Sequence, residues 1–184
     1  VAVLLDGMEE DLSKAMRAQD EQTFDQKHRS TTEKVGGSEQ NVNVEDKVDL
    51  YADLAVRLSR LKVLCYNERQ TQVGSSPPPV ASVMVHGLTI KHPTLIPRLI
   101  SNMHSLPFES RKDVSSIFNY LLVCGYDGMD APLYMSTMIE YANYVAQNYS
   151  QIMMPIIQGH DCGKGHSSTP DVALHCGTML RSTL

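Results

Sequence analysis

The sequence predicts an all-α protein, an armadillo/HEAT-like solenoid of stacked helical repeats. Three observations predict it. Apolar residues recur at helical spacing in one segment after another, the connections between most segments are short, and no segment alternates apolar and polar residues as a half-buried strand would. A compact helical bundle fits the same periodicity, because no strict internal repeat is visible.

Taken in order, Leu5, Met8, Leu12 and Met16 trace one stripe of a first helix. Residues 20–46 are polar, contain Gly36-Gly37 and lack apolar periodicity, which predicts a mobile loop or insertion. Leu50, Leu54, Leu58, Leu61 and Cys65 then step by four, four, three and four, one face of a helix. Asp53 and Arg57 are spaced for an i,i+4 pair on its outer side. Residues 67–79 break that helix, with Gly74-Ser75-Ser76 followed by three prolines.

Beyond the break, Val80, Val83, Met84 and Leu88 mark a short helix. Thr94 is placed to cap another that carries Leu95, Ile96, Leu99, Ile100 and Met103, with Pro97 harmless in its first turn. Ser110 and Asp113 fit a capping box ahead of Val114, Ile117, Phe118, Leu121 and Leu122, and Gly125 ends the stripe. Asp130 and Pro132 open a helix facing inward with Tyr134, Met138, Tyr141 and Val145. Residues 149–158 are apolar and helical, bent or shortened by Pro155, and residues 159–169 form a polar loop. Pro170 starts a last helix whose buried side carries Val172, Cys176, Met179 and Leu180.

The expected organisation is an N-terminal helix over residues 1–19, the polar loop or insertion at 20–46 and a helical-repeat region at 47–184. The chain starts at Val1 without Met, and its helical pattern still runs at Leu184, so a truncated chain is expected.

The net charge of −5 argues against a broad electrostatic grip on nucleic acid or anionic lipid. No apolar run approaches the roughly 20 residues that a membrane span needs. Cys65, Cys124, Cys162 and Cys176 form no CxxC pair and read as reduced thiols of a cytoplasmic protein.

Catalytic chemistry finds little support. Residues 159–166 (GHDCGKGH) look like a phosphate loop, but a Walker motif needs four residues between its glycines and Ser or Thr after Lys. Here the spacing is three, and Gly165 follows Lys164. The same loop could offer His160, Asp161, Cys162 and His166 to zinc only by ordering itself around the ion. A metal- or nucleotide-binding enzyme using this loop is therefore the alternative to a non-enzymatic protein. Cys124 and Cys176 lie on apolar stripes and read as core residues. His175 and Cys176 are adjacent on a helix and point about 100° apart, which rules out a nucleophile–base pair. His86, His92 and His104 near helix ends read as exposed or capping, and Met8-Glu9-Glu10-Asp11 as a solvated face. No catalytic, cofactor or metal residue is assigned.

One segment carries a binding signal. Leu106-Pro107-Phe108-Glu109-Ser110-Arg111-Lys112-Asp113 joins an apolar anchor to charges in the first turn of a helix. Two basic residues near a helix N-terminus oppose the helix dipole unless they find partners. Arg111, Lys112 and Asp113 are the candidate partner-facing residues.

That segment, continued as LPFESRKDVSSI through Ile117 and Phe118, resembles the calcium-binding-protein-39-like scaffold family, whose fungal branch is the conidiophore-development (HymA) type. The closing Ala173-Leu174-His175-Cys176-Gly177-Thr178-Met179-Leu180-Arg181 resembles it too, in the family's order. A weaker match reaches back through the Leu50 helix, so the resemblance covers about residues 48–184. It implies a curved stack of armadillo/HEAT repeats and a cytoplasmic, non-enzymatic adaptor. The implied partners are protein kinases or pseudokinases of the germinal-centre or NDR-network type, in polarity signalling. The sequence departs from the family in its longer loops at 20–46, 74–79 and 159–169, in Pro155, and in Ser182 where an acidic residue is common.

Overall fold

Leu54, Leu58, Leu61 and Cys65 are all essentially buried, as their spacing requires, on helix α2 (Ala52–Thr71). The computed structural model describes residues 1–32, 51–71, 80–123, 131–161 and 170–183. Leu50, Gly125, the glycine-proline insert and most of the 159–169 loop fall outside the described residues.

Helix α1 spans Ala2–Thr32 and buries Leu5, Met8, Leu12 and Ala15, at about 1.5–3 kcal/mol for each large side chain. It runs through residues 20–32, where the sequence predicts a loop. Gln19, Glu21, Gln22, Gln26, Lys27 and Arg29 are good helix formers, so propensity continues the coil where no apolar stripe marks it. Helix α2 likewise continues through residues 67–71, which the sequence assigns to the break.

Helix α3 (Val80–His86) passes into a π-helical turn, Gly87–Lys91, closed by the His92 amide donating to the Gly87 carbonyl at 2.9 Å. A Cβ on Gly87 would lie 2.5 Å from Leu5 Cδ1, so glycine lets α1 press onto this turn. Pro93 then holds His92 out of helical geometry. Helix α4 (Leu95–Ser101) buries Leu95, Ile96, Pro97, Leu99 and Ile100. Thr94 stands at its N-cap without capping it; the hydroxyl points 3.4 Å from Glu9 Oε1 on α1.

The remaining helices are α5 (Phe108–Val123), α6 (Ala131–Gln147), α7 (Tyr149–His160) and α8 (Pro170–Thr183). Pro170 opens α8 as expected. Asn148 separates α6 from α7, its side-chain amide donating to the Tyr144 carbonyl at 2.9 Å. Pro155 does not shorten α7, which runs on to His160 and so takes in Gly159 and His160 from the predicted loop. No strand occurs among the described residues.

The packing order decides between solenoid and bundle. Each helix lies against the one three places along: α1 on α4, α2 on α5, α3 on α6, α4 on α7 and α5 on α8. The result is three rows, α1–α4–α7, α2–α5–α8 and α3–α6, joined by one continuous apolar core. A bundle has no such translation. The register of three is that of a three-helix armadillo-type repeat, so the fold is a helical-repeat solenoid.

Two ion pairs tie neighbouring helices, one between rows and one within a row. Arg57 donates to Asp11 Oδ2 of α1 at 2.7 Å, where sequence spacing paired it with Asp53. Lys62 of α2 pairs with Asp113 of α5. Local spacing loses here because Asp11 is buried and needs a cation, whereas Asp53 is solvated.

The crossing of α7 and α8 turns on two glycines. A Cβ on Gly159 would lie 2.6 Å from the buried Cys176 Sγ; one on Gly177 would lie 3.0 Å from Nδ1 of the exposed His160 ring. Gly159→Ala is therefore expected to destabilise the protein by about 1–2 kcal/mol, since the short, buried Cys176 side chain must be displaced. Gly177→Ala, whose neighbour can rotate away, is expected to be neutral or to stabilise by up to about 1 kcal/mol through helix propensity. Urea unfolding of the two variants reads the difference, and the reverse order would contradict this crossing geometry.

Candidate functional site

The segment 106–113 starts its helix earlier than the capping-box pattern suggests. The amide of Arg111 donates to the Pro107 carbonyl at 3.0 Å, so Phe108 is the first helical residue and Ser110 already lies inside. The Ser110 hydroxyl is buried and makes no hydrogen bond, and Asp113 faces Lys62 of α2. The capping box is thus not formed. Pro107 sets the start, and Glu109 supplies the favourable charge in the first turn.

The three candidate residues separate. Arg111 is half-buried and turns back, its Nε donating to the Leu106 carbonyl at 2.8 Å. That bond supplies the partner which a basic residue at this end of a helix requires. Lys112 is exposed, with Glu109 Oε2 at 3.5 Å, a solvated i,i+3 pair of little energetic weight. Asp113 is 3% exposed and lies beneath the surface, not on it.

Helix α8 completes the site. His175 is buried, with its ring centroid 5.6 Å from that of Phe108 at an interplanar angle of 57°. Burial, helped by the nearby Arg111 and Lys112 charges, lowers the His175 pKa against the pull of Asp171 and Glu109, so the ring is neutral at pH 7. Its Nε2 is buried without a hydrogen-bond partner. Beside it Leu174 is 63% exposed, and Phe108 across from it is 47% exposed.

The α5–α8 ridge therefore exposes one apolar side chain on each helix, Phe108 on α5 and Leu174 on α8, and the charges of Glu109, Lys112 and Asp171 lie near the His175 ring. Such a mixture of apolar body and charged rim suits reversible binding of another protein surface. It offers no nucleophile–base pair: the Cys176 thiol is buried toward Gly159 and Val172. Among the described residues no group of three or more His, Cys, Asp or Glu is placed to hold a metal ion. Of the loop considered for metal or nucleotide, residues 162–166 lie outside the described residues. His160 ends α7 with Nδ1 3.3 Å from the Ala173 carbonyl.

Sequence reasoning missed Leu174 and His175 as parts of this ridge. A signal was present for Leu174, which falls off the Val172–Cys176–Met179 stripe. It also misplaced the acidic run of α1 and His92. Met8 and Asp11 are buried, and Glu9 meets His92, whose side chain is only 12% exposed. His86 and His104 are exposed as expected.

Comparison with known proteins follows the same outline. The family model described as Mo25-like matches residues 13–184, reaching further back than the 48–184 that the motifs supported. The conidiophore development protein hymA of Emericella nidulans is 28% identical over 134 residues, 72% of this chain and 30% of that protein. MO25-like protein 2 of Caenorhabditis elegans is 31% identical over 90 residues, 49% of this chain and 22% of that protein. A mouse protein named calcium-binding protein 39-like is 23% identical over 161 residues, 88% of this chain and 43% of that protein. The chain thus spans less than half the length of these curated relatives. No solved structure matches significantly.

Proposed function

The chain belongs to the Mo25-like family, and from that premise we propose that it is part of a non-enzymatic scaffold that binds and regulates a protein kinase or pseudokinase. The observation that carries the reading is the family match over nearly the whole chain, on a fold whose helices stack in a regular register of three. A pre-formed helical surface regulates by binding one conformation of its partner better than another, and shifts the equilibrium by that difference in affinity. The name of the fungal relative supports a setting in polarity or morphogenesis, and the cysteine pattern a cytoplasmic location. No described helix is long and apolar enough to cross a membrane. Germinal-centre and NDR-network kinases are the partner classes to test.

Within this chain the α5–α8 ridge is the proposed contact. Lys112, Phe108 and Leu174 reach the partner, Arg111 braces the start of α5, and Asp113 holds that helix from beneath. The test is a pull-down of both kinase classes by the complete gene product, wild type against Lys112→Glu/Leu174→Asp. Wild type is expected to retain a kinase, and the double variant to bind about tenfold or more weakly, the loss of roughly 1.4 kcal/mol typical of a disrupted contact. Failure of the wild-type protein to retain either kinase class removes the scaffold reading. Equal binding by the two proteins moves the contact elsewhere on the scaffold.

A further inference from the structure

His92 occupies an unusual position. It ends the π-helical turn, is held out of the helix by Pro93, and points at α1. Asp6 and Glu9 are three residues apart on α1 and so share one side of it. Nε2 of His92 lies 2.8 Å from Asp6 Oδ1, and Nδ1 pairs with Glu9 Oε2. Both ring nitrogens thus face carboxylates, which only accept hydrogen bonds. A neutral imidazole has one N–H and one lone pair, so it satisfies one carboxylate and sets a lone pair against the other. Only the imidazolium, with two N–H donors, satisfies both.

We propose that His92 is a proton-controlled latch: protonated, it fastens the N-terminal turns of α1 to the π turn, and deprotonated, it lets those turns open. Other groups around the ring agree with this assignment. On α4, Arg98 lies 4.0 Å from the second Glu9 oxygen and donates to Ser13 Oγ at 3.0 Å, so it steadies α1 at any pH in the neutral range. Thr94 also reaches Glu9, at 3.4 Å. Lys91 is exposed, and Asp11 is engaged by Arg57 of α2.

The direction follows from the same contacts. Burial works to lower the His92 pKa, but the hydrogen bonds to Glu9 and Asp6, and the charges of both, outweigh it and hold the pKa above its ordinary value. A raised folded-state pKa gives stability that is complete below the unfolded value of about 6.5 and is lost as pH rises through the folded value. Opening is limited in extent. Leu12 and Ala15, buried further along the helix, remain an apolar anchor that protonation does not alter, so α1 loosens ahead of Leu12 without leaving the solenoid.

Amide hydrogen exchange in the complete chain from pH 5.5 to 8, corrected for intrinsic rates, tests the latch. Protection of the amides ahead of Leu12 should fall relative to those of α5, by about tenfold for each unit separating the folded and unfolded pKa values. His92→Gln, which never carries a proton on both sides, should give low protection throughout and no such pH dependence. A wild-type protein whose first turns show pH-independent protection overturns the proposal, as does a His92→Gln variant that keeps the dependence. Nuclear magnetic resonance titration of the His92 ring in the wild-type protein decides independently of any variant. A midpoint above the ordinary value supports the latch, and one at or below it overturns it.

Discussion

Replacing Phe118 with alanine is expected to destabilise the protein by about 3–5 kcal/mol and lower its melting temperature by on the order of 10 °C. The ring sits on α5 with no exposed surface and meets Tyr141 of α6 edge-on, with centroids 5.9 Å apart. Tyr141 stacks in turn on Tyr144, whose hydroxyl donates to the Pro93 carbonyl at 2.7 Å. This aromatic chain thus ties α5 through α6 to the turn that precedes α4. Removing Phe118 leaves a cavity that rigid helices cannot close and takes away an edge-to-face contact worth about 0.5–1.5 kcal/mol beyond its buried area. Phe108, nearly three turns earlier on the same helix, provides the control. It is half-exposed, and its replacement by alanine should cost under about 1 kcal/mol. Circular dichroism melting of the two variants measures the contrast. A loss of under about 2 °C for Phe118→Ala would mean that this ring does not hold α5 and α6 together. In a repeat protein the damage should also be local, with faster hydrogen exchange in α5 and the helices that touch it.

How far the sequence reveals this structure depends on what each feature consists of. The α2 stripe and the buried side of α8 are legible because apolar side chains at helical spacing have one way to leave water. The stripe of α1 is legible for the same reason, although its coil continues through polar residues 20–32, which carry propensity without any pattern. The π turn is not legible, because it exists where Gly87 lets Leu5 approach from more than eighty residues away. The ion pairs are misread for a related reason. Arg57 has a suitable partner four residues back in Asp53, yet chooses Asp11, whose buried carboxylate gains more from a cation. At the ridge, Lys112 and Asp113 look equally exposed in the sequence, since both are charged. Neighbouring positions on a helix differ by about 100°, and only the placement of α2 decides which faces inward. The register of three needs all eight helices of the described residues in place, and so separates solenoid from bundle only in three dimensions.

The second large effect belongs to the pair beneath that ridge. Lys62→Met is expected to destabilise the protein by about 2–4 kcal/mol, more than most single changes to a charged residue. The Asp113 side chain is 5% exposed and that of Lys62 is 25% exposed, so the carboxylate would stay in the interior without its cation. Losing the other partner should matter less. In Asp113→Leu the Lys62 ammonium can move toward water along its flexible stem, at about 1 kcal/mol or less. The double variant Lys62→Met/Asp113→Leu leaves neither charge behind and should return to within about 1 kcal/mol of wild type. Urea unfolding of the four proteins closes a double-mutant cycle, with an expected coupling of about 1–3 kcal/mol. Additive losses would show that the two groups do not depend on each other. The pair also bears on the proposed contact, because it fixes which side of α5 faces α2. With Asp113 drawn inward to α2, Lys112 is turned outward, one turn after Phe108 on the same helix. If the proposed contact is correct, the double variant should fold nearly as well as wild type yet bind the proposed kinase partner more weakly, separating the energetic role of the pair from its role in aiming the ridge.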